Sequence, residues 1–257
     1  MTARRPVSAV VIALNEERKI AACLESLQWA DEIVVVDSGS TDGTQAVARR
    51  FTDKVFEVPW AGFGPQKQAA VDRARHDVVF NIDCDERVTA ELAEEIRRVL
   101  SDPEMACAYS VPRRTFLGGK EIRHCGWYPD RTTRLFDRRY ARFSEDLVHE
   151  RVEASGLRGE LRHPMLHHAF GGIGEIVAKM NRYSDLSARQ MFERGRRCGV
   201  LDLTLRPGFA FLKTYLLRLG FLDGIEGLVI SATTGWLVFA KYAKLRELAN
   251  TGRKEAQ

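Results

Sequence analysis

Cysteine is sparse and forms no pattern: Cys23, Cys84, Cys107, Cys125 and Cys198 are scattered, odd in number, and contain no C-x-x-C pair. That excludes a disulfide framework and a zinc ribbon, and makes a reducing compartment the expectation. No G-x-G-x-x-G follows the first apolar run, which excludes the pyrophosphate turn of a nicotinamide enzyme. That run, Val7–Leu14, is too short for a signal peptide and ends on Asn15-Glu16-Glu17, so no secretory leader is expected. Internal repeats are absent. In the rear of the chain the uncharged stretch Gly227–Ala240 has 14 residues, short of the roughly twenty that span a bilayer.

What is present is an ordinary globular composition. With 257 residues, 45% hydrophobic and 29% charged, the chain can form one large domain, or one domain with a small appendage, around a real core. The net charge of +4 is unevenly spread. Residues 1–150 carry 22 lysines and arginines against 25 acids, a net of −3; residues 151–257 carry 17 against 10, a net of +7. A basic rear favours phosphate-rich partners, such as lipid head groups or lipopolysaccharide. Nucleic acid is not expected.

The first hundred residues alternate strand and helix. Val7–Leu14, Glu32–Val36, Val55–Val58 and Asp77–Ile82 read as strands. Glu16–Gln28, Thr44–Phe51, Gln66–Ala74 and Thr89–Leu100 read as helices. This order predicts an α/β fold with a doubly wound, mostly parallel sheet, whose ligands lie beyond the carboxyl ends of its strands. After Pro103 only Cys107–Pro112 and Arg134–Phe136 read as strands, joined through Leu117-Gly-Gly. A long helix is expected over Ile173–Arg196, then a break at Pro207-Gly208 and two apolar segments, Phe209–Leu222 and Ile225–Leu245. The expected division is a catalytic domain over 1–172 and a helical region over 173–257.

Three acidic clusters follow three of the expected strands: Asn15-Glu16, the loop beginning at Asp37, and Asp83-Cys84-Asp85-Glu86. Like charges gathered at one sheet edge need a cation or hydrogen-bond donors to offset them. Alternate residues leaving a strand project to one side, so Asp83 and Asp85 can address one divalent ion. Hard oxygen ligands with no Cys or His set nearby point to Mg²⁺ or Mn²⁺ rather than zinc.

VVIALNEE, VVVDSGSTDGT and NIDCDE, in this order and spacing, resemble the family 2 glycosyltransferases of GT-A fold. The resemblance implies inverting transfer of a sugar from a nucleoside diphosphate donor. It implies a donor site of Asn15, Glu16, Asp37, Lys67 and Asp83, in which Asp37 meets the uracil or ribose, and a metal on Asp85 with Asp83. Many relatives have Asp-Asp where this chain has Asp37-Ser38. Inversion needs a carboxylate beside the attacking hydroxyl. The family often places it in an E-D or V-H-E motif, and both occur here, in Glu145-Asp146 and Val148-His149-Glu150; Glu150 is the expected base, Asp146 the alternative, and His149 an orienting group. Trp127 and Tyr128 offer sugar-stacking faces, Arg131 and Arg134 offer charge for an anionic group, and His167-His168 can serve phosphate, metal or core. The Q-x-x-R-W motif of the processive members is missing, since Gln190-Met-Phe-Glu-Arg lacks the tryptophan; one sugar per turnover is expected.

Met180-Asn-Arg-Tyr183, Gly220-Phe-Leu-Asp-Gly224 and Lys241-Tyr-Ala-Lys-Leu245 are similar to the lipopolysaccharide core β-1,4-glucosyltransferase branch. That implies UDP-glucose as donor, a lipid-linked inner-core glycan as acceptor, and a peripheral place on the cytoplasmic face of the inner membrane. Trp236, Phe239 and Tyr242 beside Lys241, Lys244 and Arg246 suit a membrane surface. The same residues oppose two other classes. A nucleotidyltransferase making nucleotide sugars needs a basic, Gly-rich loop where Asn15-Glu16-Glu17 stands, and a non-catalytic membrane adaptor does not need Asp37, Asp83 and Asp85.

Overall fold

The computed structural model describes residues 4–144 and 150–254. The chain forms two compact units: one of residues 1–114 and 130–167, the other of 115–129 and 168–257. This differs from the single expected boundary at 172/173. The hairpin over 115–129 groups with the C-terminal helices, because its apolar residues are buried with theirs.

The first unit opens with β1 (Val7–Ala13), α1 (Glu17–Glu25), β2 (Glu32–Asp37), α2 (Thr44–Ala48), β3 (Val55–Glu57), α3 (Phe63–Asp72) and β4 (Val78–Asp83). It continues with β5 (Glu86–Arg87), α4 (Ala90–Leu100) and β6 (Ala108–Leu117). β7 (Lys120–Ile122) belongs to the second unit. Then come β8 (Asp130–Asp137), β9 (Ala141–Phe143), β10 (Val152–Ala154), β11 (Arg158–Glu160) and β12 (Met165–Phe170). The main sheet runs β3-β2-β1-β4-β8-β6-β12-β5. Its first four strands are parallel, and β8 adds antiparallel to β4. The expected α/β order therefore holds through β4. Beyond it, several strands have too few apolar residues to be read from alternation.

Period-two alternation places Val7, Ala9, Val11, Ile33, Val35, Phe80 and Ile82 in one core, covered by α1 and α4. Val10, Val34, Val36 and Val79 face the other side, covered by α3 and the β9–β10 ribbon. Each fully buried side chain of this kind contributes about 1.5–3 kcal/mol. α4 illustrates the local logic: the Thr89 hydroxyl accepts from the Leu92 amide at 3.2 Å, Glu91 lies in the first turn, and Arg97 and Arg98 lie in the last.

The second unit holds α5 (Ile173–Glu193), α6 (Val200–Leu212), a π-helical turn over Lys213–Leu217, a 3₁₀ turn over Gly220–Asp223 and α7 (Gly224–Lys254). Gly118 and Gly119, at φ 56° and 88°, make the tight turn that pairs Leu117 with Lys120. Leu117, Ile122 and Cys125 then pack with Ile176 of α5 and Ile230 of α7. The Gly220–Gly224 sequence is a packing device. Asp223 accepts from the Arg123 and His124 amides at 3.2 and 2.8 Å, and a Cβ on Gly227 would lie 1.8 Å from the Gly220 carbonyl oxygen.

Two expectations for this region are corrected. Pro207 does not end a segment: α6 begins at Val200 and passes through it. Gly235 of α7 leaves room for the close approach, since a Cβ there would sit 3.0 Å from the Pro207 carbonyl oxygen. The rear apolar segment is also longer than its uncharged core. Gly220–Thr251 is a continuous helical stretch of 32 residues, long and apolar enough to cross a membrane by length and composition, with its most apolar window 28% buried.

Candidate active site

The loops after β1 and β2 are sewn together by their own side chains. Asn15 sits at φ 55°, a left-handed conformation that asparagine tolerates better than most residues, and its Oδ1 accepts from the Thr41 amide at 2.9 Å. Asp37 is fully buried. Its Oδ1 accepts from the Gly39 amide at 3.0 Å, the Ser40 amide at 2.8 Å and Gln45 Nε2 at 2.8 Å. The Glu16 amide donates to Thr44 Oγ1 at 2.8 Å, and Asp42 Oδ1 accepts from the Thr44 amide at 3.0 Å. Asp37 thus shapes loop 38–44 from inside, while the Glu16 carboxylate lies 4.0 Å from Lys19.

The β4 end carries a denser network. β8 pairs with β4 at Phe80 and Leu135, so the next residues outward, Asn81 and Arg134, meet on one face with Asp83 two positions further along. Arg134 donates to Asn81 Oδ1 at 2.8 Å, Asp83 Oδ2 at 2.8 Å and Glu86 Oε1 at 2.6 Å. Glu86 also accepts from the Asp83 amide at 3.0 Å and lies 3.2 Å from Arg113. Arg134 and Glu86 are buried, so this guanidinium is a fixed part of the wall. Burial works to raise the Asp83 carboxyl pKa, but Arg134 and then Lys67 outweigh it and hold it well below the ordinary carboxylate range.

Lys67, on α3, reaches the same place from the opposite element. Its ammonium lies 3.0 Å from Asp83 Oδ1 and 2.7 Å from Glu150 Oε1, and its side chain is only 6% exposed. One buried cation therefore joins the expected donor-side carboxylate to the expected base. Asp146 and His149 lie outside the described residues. Asp85 turns to a different partner: β5 pairs with β12, setting His167 opposite Glu86, and His167 Nε2 lies 3.5 Å from Asp85 Oδ2. Cys84, between the two aspartates, faces β1, its thiol 3.3 Å from the Ile12 carbonyl oxygen, and burial pushes that thiol far up in pKa.

Among the described residues no three His, Cys, Asp or Glu side chains converge as a metal cage. Both Asp83 oxygens already lie within 3.0 Å of a cation. The donor set that suits a divalent ion is the partly exposed Asp85 carboxylate with the His167 imidazole beside it. Such a site needs further oxygens from a bound ligand or water.

Except for His167, these residues fall within a longer match. Residues 8–162 fit the family described as "Glycosyl transferase family 2". The chain belongs to that family. It is 33% identical over 262 residues to the lipopolysaccharide core biosynthesis glycosyltransferase LpsC of Rhizobium meliloti, covering 95% of each chain. It is 29% identical to an uncharacterized glycosyltransferase of Rickettsia conorii, covering 94% of this chain and 90% of that one. Among solved structures it is similar to Staphylococcus aureus TarS 1–349, with TM-score 0.47 and 14% identity over 96% of this chain and 92% of that one. A second is glucosyl-3-phosphoglycerate synthase of Mycobacterium tuberculosis in complex with Mn²⁺ and UDP-glucose, with TM-score 0.36 and 28% identity over 44% of each chain. The family assignment agrees with the resemblance read from the motifs, and the α/β sheet is that expected of a GT-A fold.

Pattern in the sequence marks Asp83, Lys67 and Glu150 separately, without their contact. It marks Arg134 only as a source of charge and gives Glu86 no task of its own. Arg134→Met is expected to destabilise the protein by about 3–5 kcal/mol at pH 7, because a fully buried carboxylate loses its main partner. The sign with pH follows from Asp83. A carboxyl held down by folding stabilises above its unfolded pKa of about 4, and this is lost as pH falls toward the folded value. The gap in unfolding free energy between wild type and Arg134→Met should narrow below about pH 4, measured by denaturant titration.

Proposed function

We propose that the chain is an inverting, divalent-metal-dependent hexosyltransferase. It moves a single glucose from UDP-glucose to a lipid-linked glycan of the lipopolysaccharide inner-core type, at the cytoplasmic face of the inner membrane. The observation that carries the catalytic part is Lys67, bridging Asp83 and Glu150 at 3.0 and 2.7 Å. The similarity to LpsC over 95% of both chains supports the acceptor class.

In this reading Asn15, Glu16 and the loop held by Asp37 receive the nucleoside, and Asp83 and Lys67 receive the ribose and diphosphate. Asp85, with His167, would hold the divalent metal, which would supply Lewis-acid compensation for charge on the departing diphosphate. Glu150 takes the proton from the acceptor hydroxyl as that oxygen attacks the anomeric carbon from the face opposite the leaving group. Charge moves consistently through this arrangement. As Glu150 becomes neutral, Lys67 loses one of its two anionic partners, and its field is freed for the developing UDP anion. Acceptor-dependent UDP release, measured across a panel of UDP-sugars with extracted lipopolysaccharide core, tests the reading. UDP-glucose should give the highest rate.

The membrane part rests on the turn between α6 and α7. Phe209, Leu212, Leu216, Leu217, Leu222 and Ile225 are all exposed, Leu217 at 73% and Ile225 at 76%. Lys213 and Arg218 stand among them. An apolar knob with interspersed cations suits burial in the head-group region of an anionic surface. α7 itself packs through Tyr242 and Leu245 with Ala188 of α5 and Leu203 of α6, which favours a surface-lying helix over a spanning one. Leu217→Asp with Ile225→Asp should abolish co-sedimentation with phosphatidylglycerol vesicles and leave the melting temperature nearly unchanged. Vesicle binding equal to wild type would remove the membrane contact and leave the transfer reading standing.

A further inference from the structure

Glu86 has no solvent exposure, and no step of the proposed transfer uses its side chain. It begins β5, and only Cys84 and Asp85 separate it from Asp83 at the end of β4. A carboxylate taken out of water needs donors on its oxygens. Glu86 divides them: Oε2 accepts from the Asp83 amide at 3.0 Å, while Oε1 accepts from Arg134 at 2.6 Å and lies 3.2 Å from Arg113. The first of these bonds closes the Asp83–Glu86 turn on itself. Arg87 ties the same turn to α1, its guanidinium donating to the Cys84, Glu86 and Lys19 carbonyls at 2.7, 2.6 and 2.8 Å.

Three parts of the site meet at this residue. The bond to the Asp83 amide sets the direction in which the chain leaves β4, and so the directions of Asp83 and Asp85. Arg134 Nη2 is shared with Asp83 Oδ2 at 2.8 Å, so Glu86 takes up part of the guanidinium charge that Asp83 would otherwise meet alone. The β5–β12 ladder sets His167 opposite Glu86, which brings the imidazole to 3.5 Å from Asp85. On the far side Arg113 is held by Asp130, so charges alternate from Asp83 through Arg134, Glu86 and Arg113 to Asp130. As a source of stability this is a poor device. Desolvation offsets most of what the attraction of buried ions returns, and apolar residues of similar volume often do as well. What a fully bonded buried carboxylate supplies is fixed geometry, as the partners behind a metal-binding carboxylate do.

We propose that Glu86 is a positioning residue for glycosyl transfer. From inside the wall it fixes the turn that carries Asp83 and Asp85, and thereby the affinity for a nucleoside diphosphate with its divalent cation, without touching either. The role rests on the glycosyl-transfer reading. It differs from charge balance for the two arginines, which any arrangement of equal net charge supplies.

The test is calorimetric titration of the full-length chain with UDP, once in Mn²⁺ and once in EDTA, alongside thermal melting. Glu86→Gln sets an NH₂ group against the Asp83 amide or the guanidiniums, so part of the bonding is lost. It should weaken UDP binding in Mn²⁺ by about 10- to 100-fold, and in EDTA far less. Glu86→Gln with Arg113→Gln removes one charge of each sign, so the network keeps its net charge and Arg134 keeps Asp83. This double variant should melt closer to wild type than Glu86→Gln does and still bind UDP weakly in Mn²⁺. Arg113→Gln alone leaves Glu86 on Arg134 and the Asp83 amide, and should bind as wild type does. The proposal fails if the double variant recovers wild-type UDP affinity in Mn²⁺, since charge balance then suffices. It also fails if UDP affinity drops equally with and without metal, or if both Glu86 variants are unfolded at the assay temperature, which assigns Glu86 to stability. Wild-type UDP binding that Mn²⁺ does not strengthen would remove the metal from the transfer reading, and this role with it. Acceptor-dependent UDP release by wild type reports the transfer reading separately: it persists if only the positioning role fails.

Discussion

Asp85→Ala is expected to lower kcat about a thousandfold, or ~4 kcal/mol of barrier, with a folded protein left behind. The carboxylate is partly exposed, with the His167 imidazole 3.5 Å away, so its removal opens no apolar void. The cost falls on the chemical step, because the diphosphate leaves with its charge uncompensated. Chelation with EDTA should reproduce the loss in wild type, and added Mn²⁺ or Mg²⁺ should restore wild type but not the variant. Thermal melting should show a shift of at most about two degrees, as for a surface substitution. Full activity in metal-free buffer would remove Asp85 from this role.

Glu150→Gln should cost about 10²- to 10⁴-fold in kcat while UDP-glucose still binds. The amide keeps the shape of the side chain and cannot take the acceptor proton. It also leaves Lys67 with Asp83 as its remaining anionic partner among these two, so UDP affinity should not fall. Stopped-flow binding of UDP-glucose with single-turnover transfer separates the two effects. If Asp146→Asn abolishes transfer and Glu150→Gln does not, the base is Asp146 and the Lys67–Glu150 pair serves only to hold the wall.

Much of this was legible in the chain because hydrophobic periodicity is strong where strands are buried on both faces. β1, β2 and β4 read as continuous apolar runs, and the residues that follow them are the polar ones that a parallel sheet presents at its carboxyl edge. The antiparallel half was not legible in the same way. Nothing in Asp130–Asp137 announces that its register sets Arg134 against Asn81, and a one-residue slip would have turned that guanidinium to the other face. The Lys67–Glu150 contact joins residues 83 positions apart, a separation that local pattern cannot bridge. Pro207 misleads for a related reason. Local preference ends a helix there, but packing of α6 against the bare backbone at Gly235 carries the helix through. The LDG segment near residue 223 was legible as a sequence signature but not as a structural one, since its meaning lies in the amides of Arg123 and His124 that Asp223 holds.

In the proposed function, Asp83, Lys67 and Glu150 surround the point where a sugar passes from UDP to an acceptor hydroxyl. Incubation of the full-length chain with UDP-[1-¹³C]glucose, divalent metal and extracted lipopolysaccharide core, followed by NMR, tests it most directly. One UDP is expected for each glucose transferred, with the labelled α-anomeric signal of the donor replaced by a β-linked product. An α-linked product would contradict inversion and the role given to Glu150. No UDP release with any UDP-sugar, together with pyrophosphate release from UTP and a sugar 1-phosphate, would contradict the account as a whole.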